Sequence, residues 1–190
     1  YVKIEVLKEE HIIEILKIAK SFNSTGFLYQ IKDDELHTYY ENLEQKAHFD
    51  FYNERVTKYY KSFEKVESFF NVDDKNIIYF TMIDTEEKLN PIYYALKCIL
   101  GIEITFYKDV YNENLWYLEI FSENASKFKA VRFLREYCNF DKVIGFGDNL
   151  NDLPLFKACD EKYAVANARE QIKLDATGII ESNLDNGVPK

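Results

Sequence analysis

Val143-Ile144-Gly145-Phe146-Gly147-Asp148-Asn149-Leu150-Asn151-Asp152 joins an apolar strand to a tight turn that carries two carboxylates four residues apart. The run Val143 to Phe146 reads as a buried strand of a parallel sheet, Gly147 frees the backbone to turn, and Asp148 emerges at the strand's C-terminal end. Asp152 then falls in the first turn of the following helix. Open α/β sheets bind ligands at this edge, and two hard oxygen ligands suit Mg²⁺, which leaves coordination sites for water and substrate phosphate. The stretch therefore points to phosphate chemistry. A calcium loop is excluded, because counting from Asp148 puts Leu150, Leu153 and Cys159 where that loop needs an oxygen ligand, Gly and Glu.

Around this stretch lie 190 residues, 47% of them hydrophobic and 16% aromatic, enough for one large core or two small ones. No apolar run approaches the roughly 20 residues needed to span a bilayer, and no segment has the form of a signal peptide, so no membrane partner is expected. Cys98, Cys138 and Cys159 fall in predicted helices, are odd in number and lack CxxC spacing. They read as buried thiols in a reducing compartment, which implies a cytoplasmic location. The net charge of −9 argues against nucleic acid as a partner. The acidity is concentrated before Ser122, with 14 Lys and Arg against 22 Asp and Glu, whereas the remainder holds 10 against 11.

The periodicity changes at the same place. Glu9 to Phe22 spaces Ile12, Ile15, Leu16 and Ala19 as an amphipathic helix. Phe27 to Lys32 and Glu35 to Glu41 read as a hairpin turning at Asp33-Asp34, and Asn42 to Phe70, without Gly or Pro, as mostly helix. Asn71 to Asp74 breaks it. A strand over 76–83, a helix from Asp84 or Thr85 towards Leu100, and a second hairpin of Ile102 to Val110 and Leu115 to Phe121 complete an α+β region. After Ser122 helices and short strands alternate, the pattern of a parallel sheet. Residues 1–121 and 122–190 are therefore expected to form separate domains. His11, His37 and His48 show no metal spacing and read as surface or packing residues.

Four landmarks in order give the second region a likeness. Ala125-Ser126-Lys127, Gly147-Asp148-Asn149-Leu150-Asn151-Asp152, Ala164-Val165-Ala166-Asn167-Ala168 and the closing Asn183…Gly187-Val188 resemble the haloacid dehalogenase superfamily of phosphatases, most closely its Cof-type branch. The resemblance implies an α/β fold: part of a Rossmann-like core in 122–190, preceded by an α+β cap with an antiparallel sheet that selects the substrate. It further implies a Mg²⁺-dependent hydrolase acting on a small phosphorylated metabolite, a sugar phosphate or a cofactor phosphate, through an aspartyl-phosphate. Asp148 matches the metal ligand and Asp152 its partner, direct or through water. Lys127 matches the lysine that contacts phosphate, and Asn151 a hydrogen-bonding group of the phosphate or metal shell.

The chain departs from the family pattern as well. No DxDx[TV] motif, the site of the nucleophilic Asp, occurs in the 190 residues, and Asn186 stands where the branch has Asp. The expectation is a fragment of such an enzyme, inactive by itself, or else a non-catalytic binding or regulatory protein built from cap and half core. Thr81, which ends an apolar strand, imitates the superfamily's second motif but reads as a cap residue. Asn183 reads either as a substrate contact or as a turn residue. An incomplete core would leave a strand edge and apolar surface open, favouring self-association.

Overall fold

Residues 1–73, 75–109 and 112–188 are described by the computed structural model. The chain divides after Asn124 into two units. In the first, Ile12, Ile15, Leu16 and Ala19 form the buried stripe of α1 (Glu9–Ser21). β1 (Phe27–Lys32) and β2 (Glu35–Tyr40) form the expected hairpin, with Asp33 and Asp34 at φ 52° and 61°. Left-handed values at both turn residues match the twist of the strands. α2 (Lys46–Tyr59) is followed by β3 (Glu64–Lys65), a 3₁₀ turn at Phe69–Asn71, β4 (Ile77–Asp84), α3 (Glu86–Leu96), β5 (Ile102–Lys108) and β6 (Trp116–Ser122). Asp74 of the expected break, and Val110 and Tyr111 of the second hairpin, lie outside the described residues.

These strands form one sheet in the order β3-β2-β1-β4-β6-β5, antiparallel except for the short β2–β3 pair. Strand alternation sends Leu28, Phe80, Met82, Leu118 and Ile120 to one face, where they pack in a single core with Ile15 of α1 and Leu89, Ile92 and Leu96 of α3. Each such side chain stabilises the unit by roughly 1.5–3 kcal/mol. Phe27, Tyr29, Ile83 and Tyr117 belong to the other face and meet Ala47 and Phe51 of α2.

The long helix expected over 42–70 is in fact much shorter. α2 ends at Tyr60, whose φ is 54°, and the Lys61 N–H closes the end on the Arg55 carbonyl at 3.0 Å. Beyond it Phe63 and Val66 pack against opposite cores, which a continuing helix could not achieve. Tertiary burial here overrides local propensity. The cysteine reading is also corrected. Cys98 lies past the end of α3 and is exposed, Cys138 is exposed at the end of its helix, and Cys159 is only half-buried. His11 and His48 are buried. Among the described residues no helix is long and apolar enough to cross a membrane.

The second unit alternates as expected: α4 (Lys127–Cys138), β7 (Ile144–Gly147), a 3₁₀ turn (Leu150–Asp152), α5 (Leu153–Ala158), β8 (Glu161–Val165), α6 (Glu170–Asp175) and β9 (Gly178–Ile180). β7, β8 and β9 form a parallel sheet in sequence order. Its core is small, built on Phe156, Ala164, Val165, Ala168 and Ile172. β7 has a strand partner on one edge only among the described residues, and its Ile144 and Phe146 are 47% and 40% exposed. The mixed α/β class with a parallel sheet and an antiparallel α+β unit follows the sequence reading.

Candidate active site

The site is built at the carboxyl end of β7. Gly147 does not take a left-handed φ, so the turn does not require it. A Cβ there would lie 2.9 Å from Asp152 Cβ and 3.0 Å from Phe156 Cε1. Glycine is needed because the 3₁₀ turn and α5 approach the strand so closely, a reason different from the one read in the sequence. That approach brings Asp152 back under the strand end.

Asp152 organises the loop. Its Oδ2 accepts the Asp148 N–H at 3.0 Å and the Asn149 N–H at 3.4 Å, while its own N–H donates to the Asn149 carbonyl at 2.8 Å. The Asn149 Oδ1 accepts the Leu150 N–H at 2.8 Å, and together Asn149 and Asp152 form a capping box. The Asp148 carbonyl accepts the Arg169 N–H at 2.9 Å, tying this loop to the one after β8. The other Asp152 oxygen, Oδ1, accepts from Lys127 Nζ at 2.5 Å.

Lys127 is the first residue of α4, held there by Ser126, whose Oγ accepts the Lys129 N–H at 3.2 Å. A cation at a helix N-terminus opposes the macrodipole. Local preference therefore does not explain this lysine, and its partner Asp152 does. Conflicts of that kind between local and global choice collect at functional sites.

The two carboxylates differ in environment. Asp152 is buried; burial pushes its carboxyl up, but the Lys127 ammonium and the Asp148 and Asn149 amides outweigh this and hold it below the ordinary range. Asp148 is exposed, and no ion pair engages it among the described residues. Partial desolvation, then the neighbouring Asp152 charge, raise its carboxyl. The site thus holds one neutralised carboxylate and one carboxylate still open to a cation.

No group of three or more His, Cys, Asp or Glu gathers among the described residues. Two carboxylates nevertheless fit Mg²⁺, which is held through one or two of them together with water and phosphate. Both Asp152 oxygens are engaged by Lys127 and the loop amides, whereas the Asp148 carboxyl is exposed and faces only Asp152 and the Lys127 charge.

Of the residues singled out in the sequence, the fold brings Lys127, Asp148 and Asp152 together. It leaves Asn151 exposed, with no side-chain hydrogen bond to any of the three. Asn149, two residues earlier, makes the loop contacts instead; the Asn-x-x-Asp spacing of a capping box is the signal for it. Asn183 serves a turn. Its N–H donates to Asn167 Oδ1 at 3.2 Å, and its Oδ1 accepts from Asn167 Nδ2 at 2.9 Å. Thr81 is buried within β4 of the first unit, as read.

Comparison with known proteins gives the chain a family. The family model of haloacid dehalogenase-like hydrolases matches residues 1–190. The phosphoglycolate phosphatase of Sulfurisphaera tokodaii is 40% identical over 70 residues, 36% of this chain and 31% of that protein. A haloacid dehalogenase-like hydrolase from Bacteroides thetaiotaomicron superposes with a TM-score of 0.76 at 21% identity, over 97% of this chain and 65% of that one. A sugar phosphatase of subclass IIB superposes with a TM-score of 0.68 at 15% identity, over 97% and 65%. The chain spans about two thirds of these solved structures. On the family match over residues 1–190, the chain belongs to the haloacid dehalogenase-like hydrolases.

Proposed function

We propose that the second unit is the metal and phosphate half of a Mg²⁺-dependent phosphatase centre, and that the parent protein hydrolyses a small phosphorylated metabolite. The observation that carries this reading is the Lys127–Asp152–Asp148 constellation at the carboxyl end of β7. Mg²⁺ bound there supplies charge neutralisation on the phosphoryl oxygens. Asp148 holds the ion directly, and Asp152 acts through water and through the residues it positions. Lys127 presents a fixed ammonium to a phosphoryl oxygen, useful because charge on that group must be stabilised throughout its transfer. Asn151, exposed beside the loop, donates to substrate oxygens. The first unit acts as the cap that selects the substrate.

The nucleophilic carboxylate comes from outside these residues, since nowhere in the 190 are two Asp residues separated by a single position. The 190-residue chain is therefore expected to give no turnover of a generic aryl phosphate above background, with or without Mg²⁺. The complete product of its gene is expected to hydrolyse that compound only with Mg²⁺. Hydrolysis by the 190-residue chain itself, abolished in Asp148→Ala, would overturn the placement of the nucleophile. A complete product with no hydrolase activity that still binds phosphate esters would favour a binding or regulatory protein.

A further inference from the structure

The charged groups of the site sit on two parts of the second unit. Asp148 and Asp152 follow β7 and lead into α5, and α5 is seated closely on β7: a Cβ at Gly145 would lie 2.6 Å from Cys159 Sγ and 3.6 Å from Leu155 Cγ. Lys127 belongs to α4, which packs beside α5 but contains no buried residue. A helix without a buried stripe has little apolar packing to set its register against a neighbour. Its Lys127 ammonium nevertheless meets Asp152 Oδ1.

Two ion pairs supply the register. Lys127, the first residue of α4, bonds Asp152 just ahead of α5, and Arg135, in the last turn of α4, bonds Asp160 Oδ1 at 3.1 Å just past the end of α5. The two cations are eight residues apart, and so are the two carboxylates. The helices are thus stapled at two levels separated by roughly 12 Å of helix axis. The second staple is the more firmly anchored. Arg135 reaches Asp160 through Nη1 and the Asp141 carbonyl through Nη2, the latter at 3.0 Å. Asp160 Oδ2 accepts the Val143 N–H at 2.8 Å, and the Asp160 N–H donates to the Val143 carbonyl at 2.9 Å. One junction therefore joins the end of α4, the entry to β7 and the exit of α5.

A cation in a last turn suits the macrodipole, and a pair whose side chains are 37% and 39% exposed adds little stability. Neither reason calls for a fork that joins three segments; the effect of the junction is geometric. We propose that Arg135 and Asp160 are positioning residues, whose junction fixes α4 against α5 and so places the Lys127 ammonium on Asp152 at the far end of the helix. The consequence for phosphoryl transfer rests on the phosphatase reading above; the placement does not. A misplacement of about 1 Å in such a group costs up to about a hundredfold in rate.

The test reads the Lys127 ammonium itself. In the 190-residue chain its bond to Asp152 slows exchange of its protons with water, and Lys127→Met identifies the signal in a proton–nitrogen spectrum of the lysine side chains. Arg135→Gln and Asp160→Asn are each expected to speed that exchange about fivefold, the scale of a half-exposed pair, and the double variant no further than either alone. Asp160→Asn keeps an acceptor for the Val143 N–H, so it decides the matter where Arg135→Gln does not fold. Arg132→Gln removes a cation whose partner, Glu136, lies on α4 itself, and is expected to leave the signal unchanged. A purely structural part for Arg135 would lower amide protection near Phe140 and Val143 and leave the distant ammonium untouched. In the complete gene product both variants are expected to lower kcat on an aryl phosphate about tenfold, with KM changed less than about twofold. An unchanged ammonium signal in both variants, or an equal change in Arg132→Gln, would overturn the placement, and unchanged kcat in an active product would overturn its part in turnover. A complete product without hydrolase activity would remove the phosphatase reading and leave the ammonium result to decide the placement.

Discussion

Replacing Asp152 by Ala removes three acceptor contacts at once, and their worth follows from where each partner lies. The amides of Asp148 and Asn149 lose their acceptor beneath a buried residue, at about 1–3 kcal/mol for each group left unpaired. Both lie in a loop that water can reach in part, so the low end of that range applies. The Lys127 side chain is 49% exposed, so its pairing contributes less than about 1 kcal/mol. Together the loss is about 2–3 kcal/mol, confined to the second unit. Asp152→Asn keeps an acceptor for the amides and is expected to cost about 1 kcal/mol, and Lys127→Met no more than that. Hydrogen exchange of the β7–β8 ladder reads the second unit separately from the first: protection should fall about a hundredfold in Asp152→Ala and less than about tenfold in Lys127→Met. Equal losses in the two variants, or unchanged protection in Asp152→Ala, would refute the assignment of Asp152 as the residue that builds the loop. The pH dependence has a definite sign. Because the folded-state carboxyl is depressed, its stabilisation is complete above the ordinary value near 3.9 and is lost as pH falls through the folded value.

Gly147→Ala forces a methyl against Asp152 and Phe156 and should destabilise the second unit by about 1–3 kcal/mol, with the same exchange probes reporting it. His48 is buried on α2, where among the described residues neither ring nitrogen has a well-aligned hydrogen bond, and burial, outweighing a weak contact with the Ile83 backbone and the Asp84 charge, lowers its imidazole. The first unit should therefore lose stability as pH falls below about 6.5; His48→Leu should flatten that part of the curve of urea midpoint against pH, and an unchanged slope would exclude His48. The one-sided β7 edge and its exposed Ile144 and Phe146 predict self-association of the 190-residue chain, read as a mass that rises with concentration in light scattering. A constant monomer mass would count against it.

Long periodic elements were legible in the sequence because burial and periodicity agreed there. α1, both hairpins and the alternating second unit follow directly from where their apolar residues fall. The region after Tyr60 was misread because its aromatics serve two opposite cores, a tertiary fact with no local period. The same limit applied to the cysteines, since a place in a helix does not say which face is covered. In the site, Lys127, Asp148 and Asp152 were visible as motif residues, and the structure added their division of labour. One carboxylate is spent on the loop and the lysine, and the other is open. Asn149 carries a capping pattern that the motif spacing of Asn151 does not contain.

The claim that Asp148 is the open cation ligand has a direct test in the amide spectrum of the 190-residue chain with inorganic phosphate present. Mn²⁺, a paramagnetic substitute for Mg²⁺, should broaden resonances centred on Asp148 and Asn149. Added Mg²⁺ should reverse the broadening, and Asp148→Asn should abolish it. Broadening that is centred elsewhere, or that persists in Asp148→Asn, would contradict the assignment of this turn as the metal and phosphate centre.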